Sequence, residues 1–445
     1  MRVAWFSPLP PVRSGIATYS SELLPRLGAE FDVDCFVHRA PATSAHGTGP
    51  LVVYDAHDFV WKQQRTPYDL AVYHLGNAPC HDYMWAYLVR YPGLVVLHDA
   101  RLHQARAGGL LKQKRFADYR DEFWYDHPDA IADFVEYAVE GLGGPIYYFW
   151  PMLRVVMRTA RAIAVHNERV AAELREQYGT VPVEPIRMGV AAYETAGGTS
   201  PDAEVRRGLN VPDRAFLFAV FGKVTTEKRI LPILGALGAL VADGLDVFLV
   251  IVGDAGEFPS LADEIHTRGL GDRVRITGFV RDEAIGGYLA AADACLCLRW
   301  PTAQETSASW LRCLSAGRAT VVTDLAHLVD IPTLDPMLRE SKARGAAPIA
   351  MRIDLLAEEE CLRTAMRRLA TDAELRERLA RAGHAYWSRE HTLEVMAADY
   401  RRVLREAAAR PAPSVADLPA HFTNDFTGLA RGIASQFGVD VDLLD

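Results

Sequence analysis

The feature that most constrains this chain is a repeated alternation of short apolar runs with helical or polar stretches. The runs fall at 2–7, 31–37, 51–54, 69–75, 93–97 and 162–165, and the pattern resumes at 216–221, 246–252, 273–277, 293–298 and 320–323. Runs this short and this uniformly apolar read as strands buried on both faces. Strands that alternate with helices build a parallel sheet covered by helices on each side. The alternation is interrupted by an aromatic-rich stretch at 105–160 and by a segment from Pro182 through the polar run 193–204 that reads as a linker. It therefore predicts an α/β chain in two halves.

In such sheets ligands bind beyond the carboxyl ends of the strands, so the residues that end each run become site candidates. The first run leads into Pro8 and on to Ser14-Gly15, where Ser14 caps a helix carrying Tyr19, Leu23, Leu24 and Leu27 and Gly15 lets backbone approach a ligand. The run at 69–75 delivers His74, Gly76 and Asn77, and that at 93–97 delivers His98 and Asp99. In the second half, Phe216–Phe221 opens into Gly222-Lys223 with Lys228 five residues on, at the predicted start of a helix over 228–242. Glycine at the turn and two cations suit a pyrophosphate. The next strands end in Gly253-Asp254-Ala255-Gly256 and Gly278-Phe279-Val280.

The densest stretch is 300–324. Thr306, Ser307, Ala308 and Ser309 are small residues where a helix begins, and the first N–H groups of a helix lack intrahelical partners and attract phosphate. Glu305 precedes that turn, placed to accept hydrogen bonds from hydroxyl groups. Gly317 ends the helix, and Thr320-Val321-Val322-Thr323 enters a buried strand. A carboxylate beside an anion nest suits a sugar carrying a diphosphate.

Composition narrows the class. At 445 residues the chain is long enough for two or three domains, and 50% apolar with 24% charged residues is ordinary for a globular protein. A net charge of −9 argues against a nonspecific nucleic-acid binder. No apolar run approaches the roughly 20 residues of a membrane helix. Cys35, Cys80, Cys295, Cys297, Cys313 and Cys361 form no CxxC pair, which fits reduced thiols and a cytoplasmic location. Asp32-Val33-Asp34 and Asp440-Val441-Asp442 spell the DxD of metal-using transferases, but one sits in a strand and the other in the tail, so no metal site is read from either.

Taken together, the segment Pro11–Ser20, Leu97-His98-Asp99, the FGKVTTEK run at 221–228, VGDAG at 252–256, TGFV at 277–280 and the stretch from Glu305 to Val322 resemble the retaining glycosyltransferases of family 4, to about residue 405. The resemblance implies the GT-B arrangement of two Rossmann-like domains facing each other across a cleft. It implies an acceptor-binding domain at 1–190, a nucleotide-sugar-binding domain at 205–390, a helix at 391–410 crossing back to the first domain, and a tail at 411–445 with no counterpart. It implies transfer of a sugar from a UDP- or GDP-sugar to a hydroxyl on a glycan, lipid-linked or small-molecule acceptor. Configuration would be retained, with no metal and no cofactor; nucleic acid is not expected as a partner, and a peripheral membrane contact is left open. Lys223, standing where the family usually has arginine, and Lys228 would neutralise the departing diphosphate. The backbone from Ser307 to Ser309, with Thr306 and Ala308, would bind the same phosphates. Glu305 would hold donor-sugar hydroxyls, Phe279-Val280 would contact the base, and Gly15, Gly222 and Gly253 would lie at the donor. His98 would contact the sugar near the reacting carbon. The chain departs from the family at the second acid of its glutamate pair: counting from Glu305 that place is Cys313, and from Gly317 it is Arg312. A nucleotide-sugar epimerase of the same fold and a noncatalytic binding protein are the alternatives.

In the stretch 105–160 most aromatics are expected in helix cores, with a minority lining an acceptor groove. Helices are expected at 354–371, 373–388 and 391–408, an irregular loop at 334–350, and an apolar pattern of Phe426, Leu429, Ile433 and Phe437 in the tail, packing on the body or on a partner.

Overall fold

The computed structural model describes residues 1–39, 52–142, 144, 146–193, 201–338, 346–424 and 427–439. Two seven-stranded parallel sheets organise the chain. The first contains β1 (Arg2–Phe6), β2 (Asp32–Val37), β3 (Val52–Asp55), β4 (Leu70–Leu75), β5 (Leu94–Leu97), β6 (Ala162–Val165) and β7 (Val183–Pro185), in the order β3-β2-β1-β4-β5-β6-β7. The second contains β8 (Phe216–Phe221), β9 (Val247–Val252), β10 (Val274–Ile276), β11 (Ala294–Cys297), β12 (Ala319–Thr323), β13 (Thr333–Leu334) and β14 (Ala350–Ile353), in the order β10-β9-β8-β11-β12-β14-β13. Each sheet starts in its middle, winds to one edge, and then resumes on the other side of its first strand. The direction of winding therefore reverses beside β1 and again beside β8, and at such reversals the flanking loops part and leave a crevice.

The continuous apolar runs have the burial that two-faced coverage requires. In β1, Val3 and Trp5 join one core while Ala4 and Phe6 join the core on the opposite face. In β8, Phe218 and Val220 pack under one helical layer and Leu217, Ala219 and Phe221 under the other. One core joins the lobes. Trp5, Tyr19 and Leu23 of the first share it with Trp310, Leu311 and Leu314 of the second and with Trp387, Met396 and Tyr400 of the last long helices. The helix Leu393–Ala408 lies against the helix Gly15–Leu27, with the Tyr19 and Tyr400 hydroxyls 2.7 Å apart. Gly189 packs tightly on the start of the helix Leu393–Ala408: a Cβ on it would fall 2.4 Å from the Thr392 carbonyl oxygen.

The structure differs from the sequence reading in several places. The segment read as a linker contains β7, an edge strand of three residues too short to leave a periodic signal. The predicted loop 334–350 is flanked by β13 and β14, which pair with each other; β14 also pairs with β12. The helix expected from 228 begins at Ile230, because Thr226–Lys228 forms a single 3-10 turn and Arg229 takes a left-handed φ of 57°. The helix expected from 354 begins at Glu358, after a 3-10 turn capped by Asp354. The first-lobe insertion folds as helices His103–Lys112, Phe116–Asp126, Ala132–Val139, Ile146–Phe149 and Arg154–Thr159, with Tyr119 and Phe123 buried but Phe149 exposed at 71%. Asp440–Asp442 and Phe426 lie outside the described residues. The tail packs on the first lobe through Phe422, stacked on Trp85, while His421 Nε2 meets Glu122 Oε1 at 2.8 Å. Leu429, Ile433 and Phe437 remain exposed.

Candidate functional site

A cleft of 1090 Å³ opens between the carboxyl ends of the two sheets. Ser14, Gly15, His98 and Asp99 line it from the first lobe, and Lys223, Glu257, Arg299, Glu305, Thr306 and Ala308 from the second. A smaller recess of 260 Å³ also takes in Asp99, Arg299 and Glu305, together with Asn77, Tyr148 and Glu227.

Glu305 sits where these spaces meet. Arg299 Nε lies 2.7 Å from its Oε1, and Thr302 Oγ1 donates to its Oε2 at 2.9 Å. Arg299 is itself fixed, since its backbone N–H donates to Thr323 Oγ1 at the end of β12. The carboxylate is thus held next to a cation at the border of both spaces. Two residues on, Ser307 has extended backbone and accepts from the Trp310 N–H at 3.2 Å, capping the helix Ala308–Ser315. The first free N–H groups of that helix are a natural place for an anion. Thr306 instead spends its hydroxyl on the His166 carbonyl across the lobes.

The two lysines occupy different environments. Lys223 is exposed in the cleft and paired with Glu257, Nζ to Oε1 at 2.5 Å. Lys228 is half-buried under Gly222, and its Nζ donates to the Phe221 carbonyl at 2.5 Å. Burial, with the nearby Arg299 guanidinium adding to it, lowers its pKa to about 8. It opens on a very small recess shared with Ser307, Ser309 and Arg299, so it adjoins the capped helix from beneath while Lys223 faces the open cleft. Gly222 has φ of 91°, and a Cβ there would stand 3.2 Å from Lys228 Nζ. Gly253 is required for a different reason: a Cβ on it would fall 2.2 Å from the Gly222 carbonyl oxygen, so it lets the two loops touch.

Across the cleft, His98 directly follows β5 and is buried. His98 Nε2 and His74 Nδ1 are 2.9 Å apart, and the His98 ring lies 5.0 Å from that of His166. Burial, with the neighbouring imidazoles adding to it, holds His98 and His74 well below the usual histidine range, so both rings are neutral. His74 is fully enclosed and adjoins the cleft through His98, Tyr19 and His81, which line it. Asp99 accepts from the Asn77 N–H at 2.8 Å, and burial followed by the Glu305 charge raises its pKa to about 7.

The remaining sequence candidates lie at the rim. Phe279 is half exposed under the Arg13 guanidinium, 4.3 Å from its ring centre, and Val280 packs on the core beneath. At the place of the missing acid, Cys313 faces inward, 3.9 Å from the Cys297 sulfur. Arg312 faces the first lobe, with Nη2 3.4 Å from Glu22 Oε1 and Nη1 3.9 Å from Asp282 Oδ1. Asp34 of the strand DxD is consumed by Tyr68, Arg2 and Lys62. Sequence reasoning passed over Arg299 and Glu257, and placed Asn77 and Asp99 at the site without giving either a role. Arg299 was reachable, because it lies just past the end of a central strand, near the position that had singled out His98.

The family model described as Glycosyl transferases group 1 matches residues 215–338. The alpha-D-kanosaminyltransferase of Streptomyces kanamyceticus is 27% identical over 222 residues, 44% of this chain and 57% of that protein. The GDP-mannose-dependent alpha-(1-6)-phosphatidylinositol dimannoside mannosyltransferase of Mycobacterium tuberculosis is 34% identical over 135 residues, 30% of this chain and 33% of that protein. The matches thus span between about a third and somewhat more than half of these relatives. Among solved structures, sucrose-phosphate synthase from Thermosynechococcus elongatus aligns over 91% of this chain and 98% of its own with a TM-score of 0.63 at 15% identity. HepE from Anabaena, in complex with UDP-glucose, aligns over 91% and 100% with a TM-score of 0.62 at 15% identity. The chain has the two-lobed GT-B fold, and its second lobe carries a glycosyl transferases group 1 domain.

Proposed function

We propose that this protein is a retaining glycosyltransferase that moves a sugar from a nucleoside diphosphate sugar to a hydroxyl acceptor without a metal ion. The observation that carries the reading is the convergence, on one cleft, of the Arg299-held Glu305 carboxylate with the Ser307-capped helix and Lys223, and of Lys228 beneath that helix. Glu305 accepts hydrogen bonds from the donor sugar. The helix N–H groups and the two lysines receive the charge that develops as the bond between the anomeric carbon and the phosphate oxygen breaks. A preorganised field of this kind is commonly the largest catalytic contribution. The bonding pair leaves with the phosphate oxygen, the acceptor oxygen bonds to the anomeric carbon on the same face, and the departing phosphate takes the acceptor proton. The neutral His98 serves as a hydrogen-bonding wall beside that carbon, and His74 fixes its orientation.

The relatives differ in what their names state, GDP-mannose for the mycobacterial protein and bound UDP-glucose for HepE, so both nucleotides belong in the test. Thermal shifts with UDP, GDP and their sugars identify the donor, because a ligand that binds only the folded state raises the melting temperature by mass action. Release of nucleoside diphosphate then falls by about two to three orders of magnitude in Lys228→Met and in Glu305→Gln, the scale of losing one electrostatic contact to the transition state. Proton NMR of the product reads the anomeric configuration. Unchanged release in both variants overturns the reading.

A further inference from the structure

The cleft does not end at the donor machinery. At 1090 Å³ it is at or above the range of about 300–1,000 Å³ usual for one small ligand, and its far half runs into the helical insertion of the first lobe. The helix His103–Lys112 forms its floor. Gln104, Gly108, Leu111 and Lys112, spaced four, three and one apart, lie on one face of that helix and all line the cleft. Gln104 also borders the recess holding Asp99 and Glu305, so the stripe starts at the reacting end. From there to Lys112 a helix advances roughly 12 Å, at about 1.5 Å per residue. Along the way the walls are apolar: Leu111 and Gly108 below, Phe116, Val139 and Tyr147 beside them. Phe116 is 37% exposed, a large ring left facing this space. At the mouth stand Lys112 and Lys114, both exposed, and neither makes an ion pair within 4 Å among the described residues.

We propose that this groove takes the acceptor and that the acceptor is an anionic amphiphile. Its hydroxyl lies beside Asp99 and Glu305, an apolar segment covers the Gly108–Leu111 floor, and an anionic group meets Lys112 and Lys114. The inference rests on the transferase reading and names the acceptor class for the same cleft. A purely polar sugar would leave the apolar walls wet, while a neutral chain would leave the lysine pair without its complement.

The test is calorimetric titration of the full chain with ω-hydroxydecanoate and with γ-hydroxybutyrate. Both carry a hydroxyl at one end and a carboxylate at the other, and they differ only in the apolar length between. The long probe binds at least about tenfold more tightly, as burial of even two further methylenes requires. Gly108→Leu fills the groove without disturbing the helix, because a Cβ at Gly108 meets nothing within 4 Å. It abolishes the preference for the long probe. Lys112→Gln with Lys114→Gln, two exposed positions, weakens the long probe and removes its salt dependence. Cooperative unfolding of each variant reports folding, and the nucleotide-induced thermal shift, unchanged in all of them, reports the donor side separately. Equal affinity for the two probes, or a folded Gly108→Leu that still prefers the long one, overturns the proposal. A wild type that ignores every nucleotide while still preferring the long probe overturns the transferase reading alone.

Discussion

Lys228 illustrates how a fold can prepare a charge before its ligand arrives. The half-buried ammonium donates to a backbone carbonyl and has a guanidinium nearby, and burial first of all lowers its pKa from 10.5 to about 8. The proposed diphosphate would add negative charge to this site. Two outcomes follow from the sign of this shift. Between about pH 8 and 10.5 the unfolded chain holds a proton that the folded chain has lost, so this residue makes stability rise with pH across that window; Lys228→Met flattens the rise in thermal melts. Donor affinity runs the other way, falling as pH climbs above 8 because the ligand needs the charged amine. Asp99 is the mirror case. Its folded pKa of about 7 lies above the ordinary 3.8, so the folded chain holds the extra proton, and its contribution to stability is lost as pH rises from about 4 to about 7. Asp99→Asn keeps an acceptor for the Asn77 N–H, and its melting temperature exceeds that of the wild type at pH 8 and matches it near pH 4. A wild-type melting profile at pH 8 would show that Asp99 is not strained by burial and by Glu305.

At the scale of the element, the loop, cap and helix around Glu305–Ser315 combine two roles that can be separated. Ser307→Ala removes the hydrogen bond to the Trp310 N–H and costs about 1 kcal/mol of stability, as loss of a helix cap typically does. Ser307→Asp keeps a side-chain acceptor at the cap but places a carboxylate where a diphosphate is proposed to sit. It melts like the wild type and loses the nucleotide-induced shift, so a retained shift would remove the phosphate from this helix end. Much of this element was legible in the sequence, because small hydroxyl residues before a helix and Gly317, with its φ of 63°, are local signals. The central strands were legible for the same reason, each being a complete apolar run. What escaped was set by partners distant in sequence. β7 and β13 are short edge strands and β14 a short strand between β12 and β13, each defined by the neighbours it pairs with, and the late start of the helix at Ile230 follows from Arg229 adopting a left-handed turn. Lys223 carried no sign of Glu257, 34 residues away, nor Glu305 of the Arg299 that holds it.

Across the whole molecule, the lobes meet through two kinds of contact with different consequences. Beside the helix Leu393–Ala408 the shared core of Trp5, Tyr19, Trp310, Trp387 and Tyr400 is buried and continuous. Around the cleft mouth the contacts are polar and individually weak. Thr18 donates to Asp282 at 2.9 Å, Arg312 reaches Glu22 at 3.4 Å, Tyr148 donates to Glu227 at 2.5 Å, and Gln304 Nε2 donates to Glu173 at 2.8 Å. Of these only the Thr18 pair is exposed and the rest are half-buried; polar contacts near a surface contribute about 1 kcal/mol each, and we predict that together they hold the lobes closed by a few kcal/mol. On that prediction the core acts as the hinge and the polar rim as the latch. Arg312→Ala combined with Tyr148→Phe removes two latch contacts and leaves the hinge intact. Small-angle scattering of that double variant gives a larger radius of gyration than the wild type, while its unfolding remains a cooperative transition, and saturating nucleoside diphosphate brings the radius back toward the wild-type value because a ligand held by both lobes favours their closed arrangement. An unchanged radius would mean that the buried core alone holds the lobes together.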